Sequence, residues 1–323
     1  MNDVHAQVLD AHRRINESVV RTPLERSNVL SERSGANVYL KCEHLQHTGS
    51  FKLRGAFNKL MHLQENAGRH DAPPLRIVAA STGNHGMAVA YAASKLGINA
   101  CIYLPRETSQ VKQEAIRNLG ATIVAVDGDC LTAEIEARKN SEQTGAPFVS
   151  PYNDIHVVAG QGTLGLELAN DAELDAVFVA VGGGGLVGGI GSYLKTAAPK
   201  VRIVGCWPEN APAMLRCIEE KQIVDVPEQP TLSNSTAGGV EPGTVTFDLC
   251  RQVIDEHITV TEAEIADAMR LIAEHERWLV EGAAGVAVAA FIKQKDHYAG
   301  KNVAVVLCGR NYNWSQLRSI FAL

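Results

Sequence analysis

The segment Ser50-Phe51-Lys52-Leu53-Arg54-Gly55-Ala56 sets a primary amine beside an aromatic ring, at the start of an amphipathic stretch that runs to Leu63. Such an amine attacks an aldehyde once it is desolvated, because burial disfavours the ammonium form. Left in water it is a surface charge, as most lysines are. A second group of reactive types is Ser81-Thr82-Gly83-Asn84-His85-Gly86, which follows an apolar run and opens a helical one. Hydroxyls, an amide and free N–H groups at a helix N-terminus suit a carboxylate. The plainer reading is a Ser or Thr cap on an ordinary helix, and His85 alone reads as structural.

The third group is Val177-Phe178-Val179-Ala180-Val181 running into Gly182-Gly183-Gly184-Gly185 and then Leu186-Val187-Gly188-Gly189. Four glycines remove every Cβ from the turn, so successive N–H groups can converge on an anion at the positive end of the next helix, and a phosphate monoester fits there. A tight strand-to-helix turn is the alternative without function. Gly183, Gly185 and Gly188 also spell G-x-G-x-x-G, with Glu209 placed as a ribose-binding acid would be. An NAD(P)-dependent oxidoreductase is therefore a second reading, weakened by the loop's mid-chain position and the short helix expected over Leu186–Lys195.

These groups need elements to hold them. Apolar runs at Arg76–Ala80, Ala100–Leu104, Thr122–Val126, Ala176–Val181, Val201–Cys206 and Asn302–Leu307 alternate with helix-length stretches at Asn84–Leu96, Gln110–Leu119, Leu131–Gln143 and Val157–Leu168. The order is βαβα, which predicts an α/β protein of parallel sheets flanked by helices, with both sheet faces covered. Thr261 and Glu264 read as a capping box opening a helix over Glu262–Glu276. Gly- and Pro-rich breaks at Gly68–Pro74 and Gly145–Tyr152 predict a small βα domain, residues 53–150, inserted into a larger one built from residues 1–52 and 151–323. The aperiodic stretch Pro227–Gly243 reads as a functional loop.

Composition excludes several classes. The chain of 323 residues is 46% hydrophobic and 20% charged, too apolar for disorder, and its net charge of -6 with scattered Lys and Arg offers no footprint for nucleic acid. Met1–Asn16 carries charges throughout and does not read as a targeting peptide, and no run reaches the roughly 18 apolar residues of a membrane span. Seven cysteines without a C-x-x-C pair read as small buried residues of a reducing cytoplasm, Cys308 being set apart by its surroundings.

In their order along the chain, Ser-Phe-Lys-x-Arg-Gly-Ala, Ser-x-Gly-Asn-His-Gly, Gly-Gly-Gly-Gly-Leu and Leu-Cys-Gly-x-Asn resemble the pyridoxal-phosphate enzymes of the threonine dehydratase, serine racemase and tryptophan synthase β fold type. Pro151-Tyr152-Asn153-Asp154 with Ala159-Gly160-Gln161-Gly162-Thr163 is similar to the dehydratase branch. The resemblance covers Arg21 to Asn311. It implies the two-domain tryptophan synthase β-like fold, a homodimer, and pyridoxal 5'-phosphate as cofactor, held as a Schiff base by Lys52, which then moves the substrate's α-proton. Phe51 is implied to pack on the pyridine ring and Asn84 to meet its phenolic oxygen. Gly182, Gly183, Gly184 and Gly185 are implied to hold the phosphate, Ser81, Thr82, Gly83 and His85 the carboxylate of an amino acid substrate. Cys308 would face the ring nitrogen.

A thiol is a weak partner for that nitrogen, which makes the ring a poorer electron sink and favours expulsion of a β-hydroxyl over full carbanion chemistry. The expected reaction is α,β-elimination, turning a 3-hydroxy amino acid of the threonine or serine type into a 2-oxo acid and ammonia. Thr82 stands where the racemase branch has a hydroxyl opposite the lysine, so serine racemisation is an alternative. Trp207 and Pro208, with Pro212, Ala213 and Met214 beyond, replace the acidic ligands of metal-dependent relatives, and no metal is expected. Arg310 replaces a small residue, either as a surface arginine or as a contact to an unusual substrate. Phenylserine, 3-hydroxyaspartate and hydroxyectoine are the less usual substrates considered. The chain ends soon after its last strand and is expected to lack a C-terminal regulatory domain.

Overall fold

The computed structural model describes residues 2–66 and 75–321, so the break expected at Gly68–Pro74 lies outside the described residues. Among the described residues nine strands form two sheets. β1 (Leu24–Arg26), β2 (Asn37–Lys41), β3 (Arg76–Ala80), β4 (Asn99–Pro105), β5 (Thr122–Val126), β6 (Ala176–Ala180), β7 (Arg202–Pro208), β8 (Glu256–Val260) and β9 (Asn302–Val306) divide into a six-stranded sheet ordered β1-β2-β9-β6-β7-β8 and a three-stranded sheet ordered β3-β4-β5. Both sheets are flanked by helices.

β6 explains the larger sheet. Its run Ala-Val-Phe-Val-Ala is buried at every position, between β7 on one side and β9 on the other, as expected of a parallel strand covered on both faces. Strand pairing is parallel throughout except at β1, which runs antiparallel to β2 with Leu24 opposite Lys41. The expectation of wholly parallel sheets fails at that edge because the short stretch 27–36 cannot carry the longer crossover that a parallel return needs.

Helix ends follow the sequence closely. The Asp154 carboxylate accepts from the N–H groups of His156 and Val157 and starts Ile155–Asp171, and the Thr261–Glu264 capping box starts Glu262–Leu271. The second helix, expected to reach Glu276, changes at Ile272 into a π-helical turn that ends on Arg277 at φ 64°. Ile272 stays buried, so the apolar spacing continues through the change and conceals it. Another departure is Cys130, which opens the helix Cys130–Thr144 on its solvent side and is exposed, while the other six cysteines are buried.

The helix Lys52–Asn66 lies against Ile155–Asp171 through paired glycines. A Cβ on Gly160 would sit 2.6 Å from the Arg54 carbonyl oxygen, and one on Gly55 would sit 2.8 Å from that of Val157. Without those side chains the two backbones touch, which fixes the position of Lys52 at the start of its helix. No helix among the described residues is long and apolar enough to cross a membrane.

Candidate active site

The carboxyl ends of β3, β6 and β9 run into Ser81, Gly182 and Cys308, which is where parallel sheets place ligands. Two adjoining cavities open there. Phe51, Tyr152, Gly182, Gly183, Gly184, Gly185 and Cys308 line one. Ser81, Thr82, Gly83 and His85 line the other, of about 240 Å³, facing Lys112, Glu281 and Tyr312. Lys52 and Asn84 line both. Every site residue expected from the sequence therefore borders one cavity or the other. Arg310 borders neither, and its exposed side chain fits the surface reading.

Lys52 has the character that an aldehyde-binding amine requires. Its Nζ donates to the Pro151 carbonyl oxygen at 2.8 Å and sits 5.2 Å from the centre of the Phe51 ring. Burial pushes the amine down from 10.5 to about 8, against the opposing pull of Cys308 and Glu281. At pH 7 about a tenth of it is then neutral, against about one part in three thousand for an ordinary lysine. His85 is held down to about 3, first by burial and then by the Lys52 charge, while its Nε2 lies 2.8 Å from the Val149 carbonyl oxygen. It therefore stays a neutral imidazole. The helix Asn84–Leu96 begins at Gly83 without a side-chain cap; Ser81 Oγ accepts from the Gly83 N–H at 3.2 Å, and the N–H groups of the first helical turn have no side-chain partner among the described residues.

Glu281 was not foreseen. Its carboxylate accepts from Asn84 Nδ2 at 2.9 and 3.0 Å, from Ser235 Oγ at 2.6 Å and from the Asn311 backbone N–H at 3.0 Å. Asn311 Nδ2 in turn donates to Asn84 Oδ1 at 2.5 Å, so the Asn84 amide is held at both ends. Glu281 stands at the N-cap of Gly282–Gln294 but makes no capping bond, because its side chain turns into this network instead. Burial and then the Glu281 charge push the Cys308 thiol well above 9, so it remains protonated.

The residues fit a phosphorylated aldehyde cofactor. Gly184 has φ 85°, and a Cβ there would lie 2.5 Å from Cys250 Sγ. A Cβ on Gly183 would enter the Tyr152 ring, and one on Gly182 would sit 2.9 Å from the Thr236 backbone. The cradle is thus shaped by missing side chains, and it ends on the N-terminus of Gly185–Ala197. An amine at one end and an anion nest at the other suit an aldehyde carrying a phosphate. Glu209, the acid of the dinucleotide reading, borders neither cavity and lies 3.8 Å from Lys293.

Comparison with known proteins agrees. Residues 15–309 match the model of the family described as pyridoxal-phosphate dependent enzymes. An L-threonine ammonia-lyase of Thermotoga maritima is 41% identical over 97% of this chain and 77% of its own length. A beta-hydroxyaspartate dehydratase of Paracoccus denitrificans is 35% identical over 97% and 98%. The processed threonine deaminase isoform 2 of Solanum lycopersicum superposes with a TM-score of 0.92 at 30% identity, over 99% of this chain and 93% of that one. The amine, the nest and these likenesses converge: the chain belongs to the pyridoxal-phosphate dependent enzyme family.

Proposed function

We propose that this chain is a dehydratase that converts a 3-hydroxy amino acid to a 2-oxo acid and ammonia by α,β-elimination. The observation that carries this reading is the meeting of a desolvated lysine amine and a glycine nest across two cavities that share Lys52 and Asn84. Relatives named for threonine and for β-hydroxyaspartate support a substrate among the 3-hydroxy amino acids.

Pyridoxal phosphate, when bound, supplies an electron-withdrawing ring that makes the substrate's α-proton acidic. The chain does the rest. Gly182, Gly183, Gly184 and Gly185 would hold the phosphate, and Phe51 would pack against the ring. When the cofactor is bound, Lys52 would hold it through its aldehyde group and would be the base that takes the proton from the substrate's Cα. Asn84, fixed by Glu281 and Asn311, is positioned toward the ring's phenolic oxygen. Cys308, kept as a thiol, would leave the ring nitrogen without the full charge a carboxylate partner would enforce. Ser81, Thr82, Gly83 and neutral His85 orient the substrate carboxylate at the open helix N-terminus. The α-proton and β-hydroxyl leave together as water. The enamine so formed tautomerises to an imine, and water returning to that carbon releases ammonia, with no net oxidation.

Racemisation is the second reading, because the Thr82 hydroxyl lines the cavity that Lys52 also lines. The test of the main reading is Lys52→Ala. It is expected to lose 2-oxo acid release by at least a thousandfold while keeping its far-UV circular dichroism, and borohydride is expected to fix the cofactor on Lys52 of the native enzyme. Substantial elimination by the variant, or label on another residue, would overturn the assignment.

A further inference from the structure

Most of the side chains that line the 240 Å³ cavity beyond the Ser81–His85 loop are polar. Among the described residues that line it, Pro151 and Leu232 are aliphatic, and the Tyr312 ring adds apolar surface. Asn234, Tyr312, Asn313 and Gln316 supply amides and a phenol. Placing an aryl ring against such groups strips them of water without replacing their hydrogen bonds. The charges discriminate further. Lys52 is committed to the cofactor, and the Glu281 oxygens are already taken by Asn84, Ser235 and Asn311. Among the described residues that line the cavity, no free carboxylate is left for a cationic ring such as that of hydroxyectoine.

One charge remains. Lys112, in the first turn of Gln110–Asn118, lines the cavity and has neither an ion-pair partner nor a side-chain hydrogen bond among the described residues. The substrate's α-carboxylate already has the uncapped start of Asn84–Leu96. The geometry points to a second carboxylate at Lys112. We propose that the preferred substrate is a 3-hydroxy amino dicarboxylic acid, of which 3-hydroxyaspartate is the smallest, with Lys112 recognising the carboxylate on the β-carbon. This rests on the elimination reading and sharpens it. The balance is unchanged: the α-proton and β-hydroxyl leave as water, water returns as ammonia leaves, and the product is a 2-oxo dicarboxylic acid.

The test compares kcat/KM of cofactor-loaded enzyme for 3-hydroxyaspartate, threonine and phenylserine, in the native chain and in Lys112→Gln and Lys112→Arg. Native enzyme is expected to favour 3-hydroxyaspartate over both others. Loss of a charge-assisted contact is worth about tenfold to a hundredfold, so Lys112→Gln should lower the hydroxyaspartate-to-threonine ratio by that factor, mainly through KM, and Lys112→Arg should restore most of it. A native preference for threonine or phenylserine overturns the proposal and leaves elimination standing. So does a Lys112→Gln variant that loses both substrates equally, since Lys112 then serves the carboxylate they share, or one whose ratio does not move. Release of no 2-oxo acid from any substrate by the native enzyme overturns the elimination reading itself.

Discussion

A lysine whose amine titrates near 8 makes a direct statement about how the cofactor enters. Burial disfavours the charged form of Lys52, so the neutral nucleophile is half-populated at about pH 8 and not at the ordinary 10.5. In cofactor-free enzyme, recombination with pyridoxal phosphate should speed up about tenfold per pH unit below 8 and level off above it. A stopped-flow trace of visible absorbance against pH reads this, and a rate still climbing at pH 9.5 would count against the buried amine. The partner prediction concerns Thr82. If its hydroxyl serves the face opposite Lys52, Thr82→Ala should keep elimination within about threefold while removing inversion at Cα, followed by chiral chromatography of unreacted substrate. Equal loss of both would mean that Thr82 mainly holds the carboxylate. At this scale the sequence is most legible where residue types are rare for their place: an amine next to an aromatic, four glycines in a row, Asn-His after Gly. Glu281 escapes because an acid before a helix reads as a cap, and only coordinates reveal that it leaves its N–H groups unserved to hold Asn84. Lys112 escapes for the opposite reason, since a lysine on an amphipathic helix looks like every other solvated lysine until it is seen bordering the cavity.

Elements were readable where their apolar residues run unbroken, even in β5, which has no fully buried position. β3 and β5 and the helix Asn84–Leu96 lie where the apolar runs put them, and β4, β6, β7 and β9 differ only at their ends. β1, β2 and β8 were not identified, because a three-residue edge strand and two half-polar strands such as Glu-His-Ile-Thr-Val lack the continuous apolar run of a covered strand. The π-helical turn at Ile272–Glu276 was equally hidden. The glycine turn after β6 gives the test at this scale. Gly184→Ala must hold a left-handed backbone, at about 1–2 kcal/mol, and also move Cys250. It should lower stability in urea by roughly 2 kcal/mol and weaken cofactor retention on dialysis. Gly188→Ala, four residues on in the same helix, meets only Leu249 at 3.5 Å and should be neutral or more stable by about 0.5–1 kcal/mol, with retention unchanged. Equal behaviour of the two variants would refute the claim that missing side chains shape the cradle.

The whole molecule is tied together two residues beyond Lys52. Arg54 donates to Glu43 through Nε at 2.8 Å and Nη2 at 2.7 Å, to Glu167 through Nη1 at 2.6 Å and Nη2 at 3.0 Å, and to Thr163 Oγ1 at 3.1 Å. Glu167 is shared with Lys41, whose Nζ lies 2.7 Å away, and all four charged side chains are almost fully buried. The network joins the lysine helix to the turn after β2 and to Ile155–Asp171, so the same guanidinium that sustains the fold also fixes where Lys52 begins. Glu43 itself is held below the ordinary carboxylate range: burial acts to raise it, and the Arg54 charge and hydrogen bonds outweigh that. In the native enzyme its contribution is present above about pH 4.5 and is lost as the pH falls through its depressed folded value. Arg54→Met inverts the sign. The Glu43 carboxylate then stays buried without its main partner, its folded pKa rises above the unfolded one, and stability falls as pH rises. The variant should be less stable than native by about 3–5 kcal/mol at pH 7, with the gap narrowing toward pH 5 as the carboxyl takes up a proton. Urea unfolding of both proteins across that range decides it. A gap that stays constant or widens on acidification would mean that Arg54 acts by packing alone, and that the charge network does not hold the lysine helix to the larger sheet.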